Sequence, residues 1–365
     1  FVSKNGNDST GLVERGDRPF LTISAAKSAV TIYYTGSSIP STTNRILIKV
    51  NSGNYNEPIV LGDGIDYDLT DCILELQSGS SYVIDDNNVA CDSIIYGNPQ
   101  IIRSTSGTGG CIRTQNAGTN LRIYANIINS NTIGEAITCT NGTQTIIAYS
   151  ITSAITGLNA TIDCVAGNLY VECKAITNSI SNTNSGSGRN ILIYGGTVKI
   201  KAPKIMLPSA GSDNVQILGG STTIIGDIST NASGSAGIDM AGNGILYVYG
   251  NVTNVSGQAA VATAVGSCYI YGDISSDQTQ PVQCFGGTLI INNSRIVTTA
   301  SNADSLIQSG GVCILNNCTL IATGTGASIS AGSTVKIYSG CQANLAVGAG
   351  VTQQVGSITV DVNVV

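Results

Sequence analysis

Few side chains in this chain can do acid–base chemistry. The best-placed carboxylates are the neighbours Asp85 and Asp86. Cleaving a polysaccharide takes either paired carboxyl groups at a set separation or a basic residue that abstracts a proton beside a bound cation. Adjacent strand residues face opposite ways, so Asp85 and Asp86 converge only if a turn brings them together. A second acidic group, Asp63, Asp66, Asp68 and Asp71, has the spacing of an oxygen-rich cation loop but lacks the glutamate that completes an EF-hand loop. It reads as a weak metal candidate and otherwise as a solvated turn. Lys199, Lys201 and Lys204 are the only concentrated bases, with Glu172 and Lys174 about one repeat earlier; a solvated ladder is the plainer reading of them. Histidine is absent, and no sequence pattern calls for a cofactor.

Eleven cysteines follow the repeat described below rather than any metal spacing. Cys72, Cys268 and Cys313 occupy a column expected to be buried, where a thiol behaves as a small hydrophobe. They read as reduced core residues, which favours folding in a reducing cytoplasm.

These residues are positioned by a repeat. An apolar–x–apolar unit followed by a marker recurs at Asn51, Glu75, Tyr96, Tyr124, Ala148, Glu172, Tyr194, Leu218, Tyr249, Tyr271, Asn292, Asn316, Tyr338 and Asp361, with gaps of 21 to 31 residues. The residue before each marker is apolar, from Val50 to Val360, and the residue two before that is apolar or small. Positions two apart share one strand face, so both columns are expected to be buried. Val, Ile, Tyr and Thr fill the units, and Gly or Asn follows many of them, as in Tyr249-Gly250-Asn251; this is strand followed by turn. Leucine-rich and propeller repeats do not fit that framework or that period. The expected fold is all-β: a right-handed parallel β-helix of about 14 coils over residues 46–365, roughly 65 Å long at about 4.8 Å per coil. The longest gaps imply insertions near 98–120 and 229–243.

Residues 1–45 differ. A strand and turn-rich loop lead into Ile23, Ala26 and Val30 at helical spacing, with Thr22 as the N-cap, so a short helix is expected to cap the first coil. The segment Val2-Ser3-Lys4-Asn5-Gly6-Asn7-Asp8, then Arg18-Pro19-Phe20 and Thr22-Ile23 with Ala25-Ala26, resembles the N-terminal signature of right-handed β-helix proteins of the pectate-lyase-like superfamily, common in phage tail-spikes and other viral surface proteins. The resemblance covers about 30 residues and implies fold, handedness and capping. It leaves function open, since lyases, hydrolases, adhesins and inert stalks share the architecture. The polygalacturonase-like branch carries Gly-His and Arg-Ile-Lys motifs that this chain lacks.

The outward positions hold the last signal. Tyr96, Tyr124, Tyr170, Tyr194, Tyr247, Tyr249, Tyr269, Tyr271 and Tyr338, with Ile73, Ile94, Ile146, Leu192, Ile290 and Ile314, make an aromatic and apolar stripe that monomers rarely expose. Subunit contact in a homo-oligomer, with a trimer favoured, would cover it; sugar rings, the chain's own loops or other virion proteins are the alternatives. Net charge is −6 and no Lys or Arg lies between Lys204 and Arg295, which argues against nucleic-acid binding, and no apolar run is long enough to span a membrane. The sequence therefore reads as a virion structural protein, a fibre, spike or surface-decoration subunit, folded in the host cytoplasm and touching a host-surface glycan or another partner. Its rivals are a polysaccharide lyase or hydrolase, and an extracellular bacterial adhesin.

Overall fold

In a computed structural model the chain is an all-β parallel β-solenoid of about ten turns with one short N-terminal helix. The structure describes residues 1–77, 79, 81–105, 109–130, 134–154, 159–178, 188–207, 213–231, 234–301, 303–322, 329–331, 335–337, 341–343, 351–353 and 359–360. Two compact units are present, one of Phe1–Ile155 with Thr161–Lys174, the other of Thr156–Ala160 with Ala175–Val365.

In the first unit, each coil contributes up to three strands, stacked in parallel on their counterparts. One column runs through Ile46–Lys49, Ile65–Asp68, Asp92–Tyr96, the start of Asn120–Ser130, the start of Thr143–Ser153, and Asn168–Glu172. A second runs through Gly53–Tyr55, Cys72–Leu76, Ile101–Ser104 and the later halves of the two long strands. A separate sheet stacks Ile59–Val60, Ile84–Asp85, Ile112–Thr114, Ile137–Cys139 and Ala160–Cys164. Alternation decides what is inside: Leu121, Ile123, Ile128, Ile151 and Val171 are fully or nearly buried.

Ile23–Tyr33 is the helix expected from the sequence. Thr22 Oγ accepts a hydrogen bond from Ala25 N (3.1 Å), and Ile23, Ala26 and Val30 are its buried face. Glu57 adds a second cap from the first coil, accepting from Ile23 N (2.9 Å) and Ser24 N (3.1 Å) at the positive end of the helix. The helix packs on Ile46–Lys49 and Ile59–Val60, while Val2 bridges both Val50 and Phe20, so the exposed edge of the first coil is covered.

The second unit repeats the plan. Its first column stacks Thr197–Leu207, Ser221–Thr230, Ile245–Tyr249, Ser267–Tyr271, Thr288–Asn292, Val312–Asn316 and Val335–Ile337. The separate sheet stacks Arg189–Ile193, Val215–Ile217, Ile238–Met240, Val261–Thr263, Val282–Cys284, Leu306–Gln308 and Ile329–Ala331. Within Ser221–Thr230, between the part that stacks on Ile245–Tyr249 and the part that stacks on Val252–Asn254, sits Gly226, with φ +144° and so close to the Ala202 carbonyl that no Cβ fits.

The count of about ten turns differs from the expected 14, and some of the expected markers lie off the first column because both sheets carry the same apolar alternation. Glu75 belongs to the second column, Tyr194 and Leu218 follow strands of the separate sheet, and Asp361 lies outside the described residues. The 31-residue gap before Tyr249 is therefore a change of sheet, and the supposed insertion at 229–243 holds the strand Ile238–Met240. Likewise 98–120 holds Ile101–Ser104 and Ile112–Thr114. One phase is also corrected. Tyr124 stacks on Ile147, so Ile146 and Gln144 point inward and Ile147 outward.

Candidate functional site: an exposed tyrosine ladder

On the outer face of the second unit's first column, two lines of side chains stand side by side. One reads Lys201, Ile225, Tyr249, Tyr271; the other reads Lys199, Thr223, Tyr247, Tyr269, Ile290, Ile314. Strict register stacks like on like: Tyr247 and Tyr269 have ring centroids 4.7 Å apart with planes at 14°, and Tyr249 and Tyr271 are at 4.9 Å and 9°. Tyr249 is 46% exposed and Tyr271 39%. Below them Asn316 Nδ2 donates to Asn292 Oδ1 (2.7 Å), a polar continuation of the line. With strands about 4.8 Å apart and same-face positions about 6.6 Å apart, the aromatic and aliphatic island covers roughly 250 Å².

The stacking fixes what this face can recognise. Neighbouring tyrosines cover one face of each other, and the next positions in register beyond the rings include Thr223, Ile225 and Ile290. Side chains stand roughly perpendicular to a sheet, so ring edges and hydroxyls lead outward. A sugar that stacks on an aromatic needs an open ring face. A flat partner surface needs only edges and hydroxyls.

The other tyrosines fall elsewhere. Tyr96 and Tyr124 are partly exposed in the first unit, on the line that begins at Asp68 and continues to Ile147. Tyr170 donates from Oη to Glu172 Oε2 (2.6 Å). Tyr194 is exposed but follows a strand of the separate sheet, so it stands off the ladder. Tyr338 lies outside the described residues. Of the aliphatic positions expected to face outward, Ile94, Ile146 and Leu192 are buried.

The carboxylates singled out by sequence are engaged structurally. Asp85 holds Arg113 through contacts of 2.6 and 3.3 Å, and Arg113 lies 4.4 Å over the Tyr82 ring. Asp86 is fully buried and accepts from Gln115 N and Asn116 N (2.9 Å each), Asn88 N (3.0 Å) and Thr119 Oγ (2.7 Å). That is a loop-tying role, and the two residues serve different neighbours. The acidic run also disperses: Asp66 pairs with Arg45 and accepts from Ile94 N, Asp63 accepts from Asp92 N, Asp68 caps Thr70, and Asp71 meets Gln100. Among the described residues no group of three metal-ligating side chains forms.

One carboxylate pair escaped the sequence reading because its members lie one coil apart. Asp213 accepts from Ala236 N (2.8 Å), and Gln216 Nε2 donates to Asp239 Oδ2 (2.8 Å), with Gln216 and Asp239 in register. Burial pushes the Asp213 carboxyl up, and the neighbouring Asp239 pushes it further, against the pull of Ala236 N–H and Arg189. Only an alignment of coils, not of adjacent residues, could have paired them.

Compared with known proteins, the chain matches no family model, no curated protein and no solved structure. The resemblance to pectate-lyase-like proteins thus holds at the level of the parallel β-solenoid, and the comparisons support neither membership in that superfamily nor a phage origin. No helix among the described residues is long and apolar enough to cross a membrane.

Proposed function

We propose that this chain is a structural and adhesive solenoid whose working surface is the tyrosine ladder of the second unit, and that copies of the chain associate through it. The observation that carries the reading is the double stack Tyr247/Tyr269 and Tyr249/Tyr271: two pairs of rings, each covering one face of its partner, with Tyr249 and Tyr271 exposed. An island of roughly 250 Å² is the size of an interface core rather than of a whole interface, which needs about 800 Å² per partner, so the flanking residues supply the rim. A trimer is the assembly we favour, and a virion fibre, spike or decoration subunit is the setting in which such an element serves. Burial of all eleven cysteines, where a thiol packs as a small hydrophobe, supports folding in a reducing cytoplasm before delivery to a virion surface. Photochemical dityrosine cross-linking tests the reading. Covalent oligomers should form in the wild type and vanish in Tyr249→Phe/Tyr271→Phe; cross-links confined within single chains would refute it.

A second reading has its own observation. Asp213 and Asp239 are adjacent carboxyl groups of which one is held protonated more readily than usual, the condition for a general acid beside a base. On that reading the solenoid cleaves a polysaccharide, and new reducing ends or unsaturated products would appear with the wild type and disappear with Asp239→Asn.

A further inference from the structure

The buried cysteines are not scattered evenly through the core. In the first unit Cys139 and Cys164 are partners in register on adjacent coils. In the second, Thr319 and Gln342 are in register, which places Cys318 one coil from Cys341, and Cys318 N donates to Cys341 Sγ (3.3 Å). Parallel neighbours have Cα atoms about 4.8 Å apart, inside the 4.4–6.8 Å range that a disulfide spans. The sulfurs therefore need only side-chain rotation to bond, and closure adds no atom to a packed interior, whereas a metal ion would need room.

The two partners of the second pair differ in character. Proximity to the Cys318 side chain, with the Cys318 N–H that Cys341 Sγ accepts at 3.3 Å, lowers the Cys341 pKa against the opposing effect of burial. Cys318 is pushed the other way by the same thiol contact and by burial, and its sulfur sits 3.3 Å from the carbonyl oxygens of Ile291 and Asn316. A cysteine of lowered pKa one coil from a thiol of raised pKa is the arrangement of an attacking and a resolving cysteine.

We propose that Cys341 and Cys318 form a hydroperoxide-sensitive dithiol that closes to a disulfide and ties two successive coils together. The Cys341 thiolate attacks one peroxide oxygen; the O–O bond breaks, hydroxide or alkoxide leaves, and Cys341 becomes a sulfenic acid. The Cys318 sulfur then attacks Cys341 Sγ, the S–O bond breaks, and the sulfenic hydroxyl departs as water with the Cys318 proton. Two thiols are oxidised and one peroxide is reduced.

Hydrogen peroxide applied to the full chain, followed by tryptic digestion and mass spectrometry, tests this. Cleavage after Lys336 separates the two cysteines, so a cross-link joins two peptides, and fragment ions distinguish Cys318 from Cys313. We expect a Cys318–Cys341 cross-link lighter by two hydrogens than the sum of its reduced peptides, and in Cys318→Ser a sulfenic acid at Cys341 that a dimedone probe captures. The proposal is overturned if Cys341 in the wild type stays reduced, bonds to Cys313, or accumulates as sulfinic acid without a bond to Cys318. The wild-type measurement decides the matter even if the variant fails to fold.

Discussion

The ring of Tyr249 lies on the ring of Tyr271, with centroids 4.9 Å apart and planes 9° from parallel, on a strand face open to solvent. Each ring gives one face to its neighbour and keeps its edge and hydroxyl for a partner. This separates two binding chemistries that composition alone leaves mixed.

The first expectation concerns sugars. The chain has no tryptophan, so its intrinsic emission comes chiefly from tyrosine. Titration with neutral and acidic oligosaccharides should leave that emission unchanged, because stacked ladder rings lead outward with their edges rather than with a face. A saturable change that Tyr249→Ser/Tyr271→Ser abolishes would contradict the covered-face argument.

Asp86 is expected to hold the structure. Replacing it with Ala leaves Gln115 N, Asn116 N and Thr119 Oγ without their buried acceptor, a cost on the order of 4 kcal/mol. Denaturant unfolding should show the loss. A change below about 1 kcal/mol would mean that Asp86 is replaceable there and reopen it as a chemical group.

In the second unit Asn254 is fully buried, and its Nδ2 lies within hydrogen-bonding distance of the carbonyls of Ser235 (2.8 Å), Gln258 and Ala259 (3.0 Å each). Asn254→Asp removes the donor while preserving size and places a carboxyl among carbonyl oxygens. It should cost about 3 kcal/mol or more at neutral pH and less at pH 3, where the acid can donate. Equal stability at both pH values would argue against this geometry.

Asp213 has a carboxyl raised by burial, so its sign runs opposite to that of an ion-paired acid. Its contribution to stability is fully present below the unfolded value near 4 and is lost as pH rises through the folded value. Asp213→Asn keeps an acceptor for Ala236 N and removes the charge. Its melting temperature relative to wild type should therefore rise between pH 3 and pH 7. A gap that is flat or shrinks over that window would contradict the raised carboxyl.

Much of the architecture was legible because stacking forces the sequence to repeat: buried Leu246, Val248, Cys268, Ile270, Leu289 and Ile291 sit where the alternation puts them. The helix was legible from Thr22 and the spacing of Ile23, Ala26 and Val30. Two things were hidden. Alternation is the same in either sheet, so Tyr194 was counted with a line it does not join. Polar residues also enter the interior when a coil supplies partners: Gln144 is buried because Thr114 Oγ and the Thr138 carbonyl accept from it at 2.7 Å, which no local pattern announces. The ladder was legible as residues but not as geometry, since only register decides that Tyr247 meets Tyr269.

Sedimentation velocity at micromolar concentration, wild type beside Tyr249→Ser/Tyr271→Ser, tests the association directly. The wild type should sediment as an oligomer, and the variant should dissociate with an unchanged strand-rich circular dichroism spectrum, each lost ring weakening the contact by about 2 kcal/mol, or roughly 30-fold. A wild type that is a clean monomer, or a variant that assembles as well as the wild type, would contradict it.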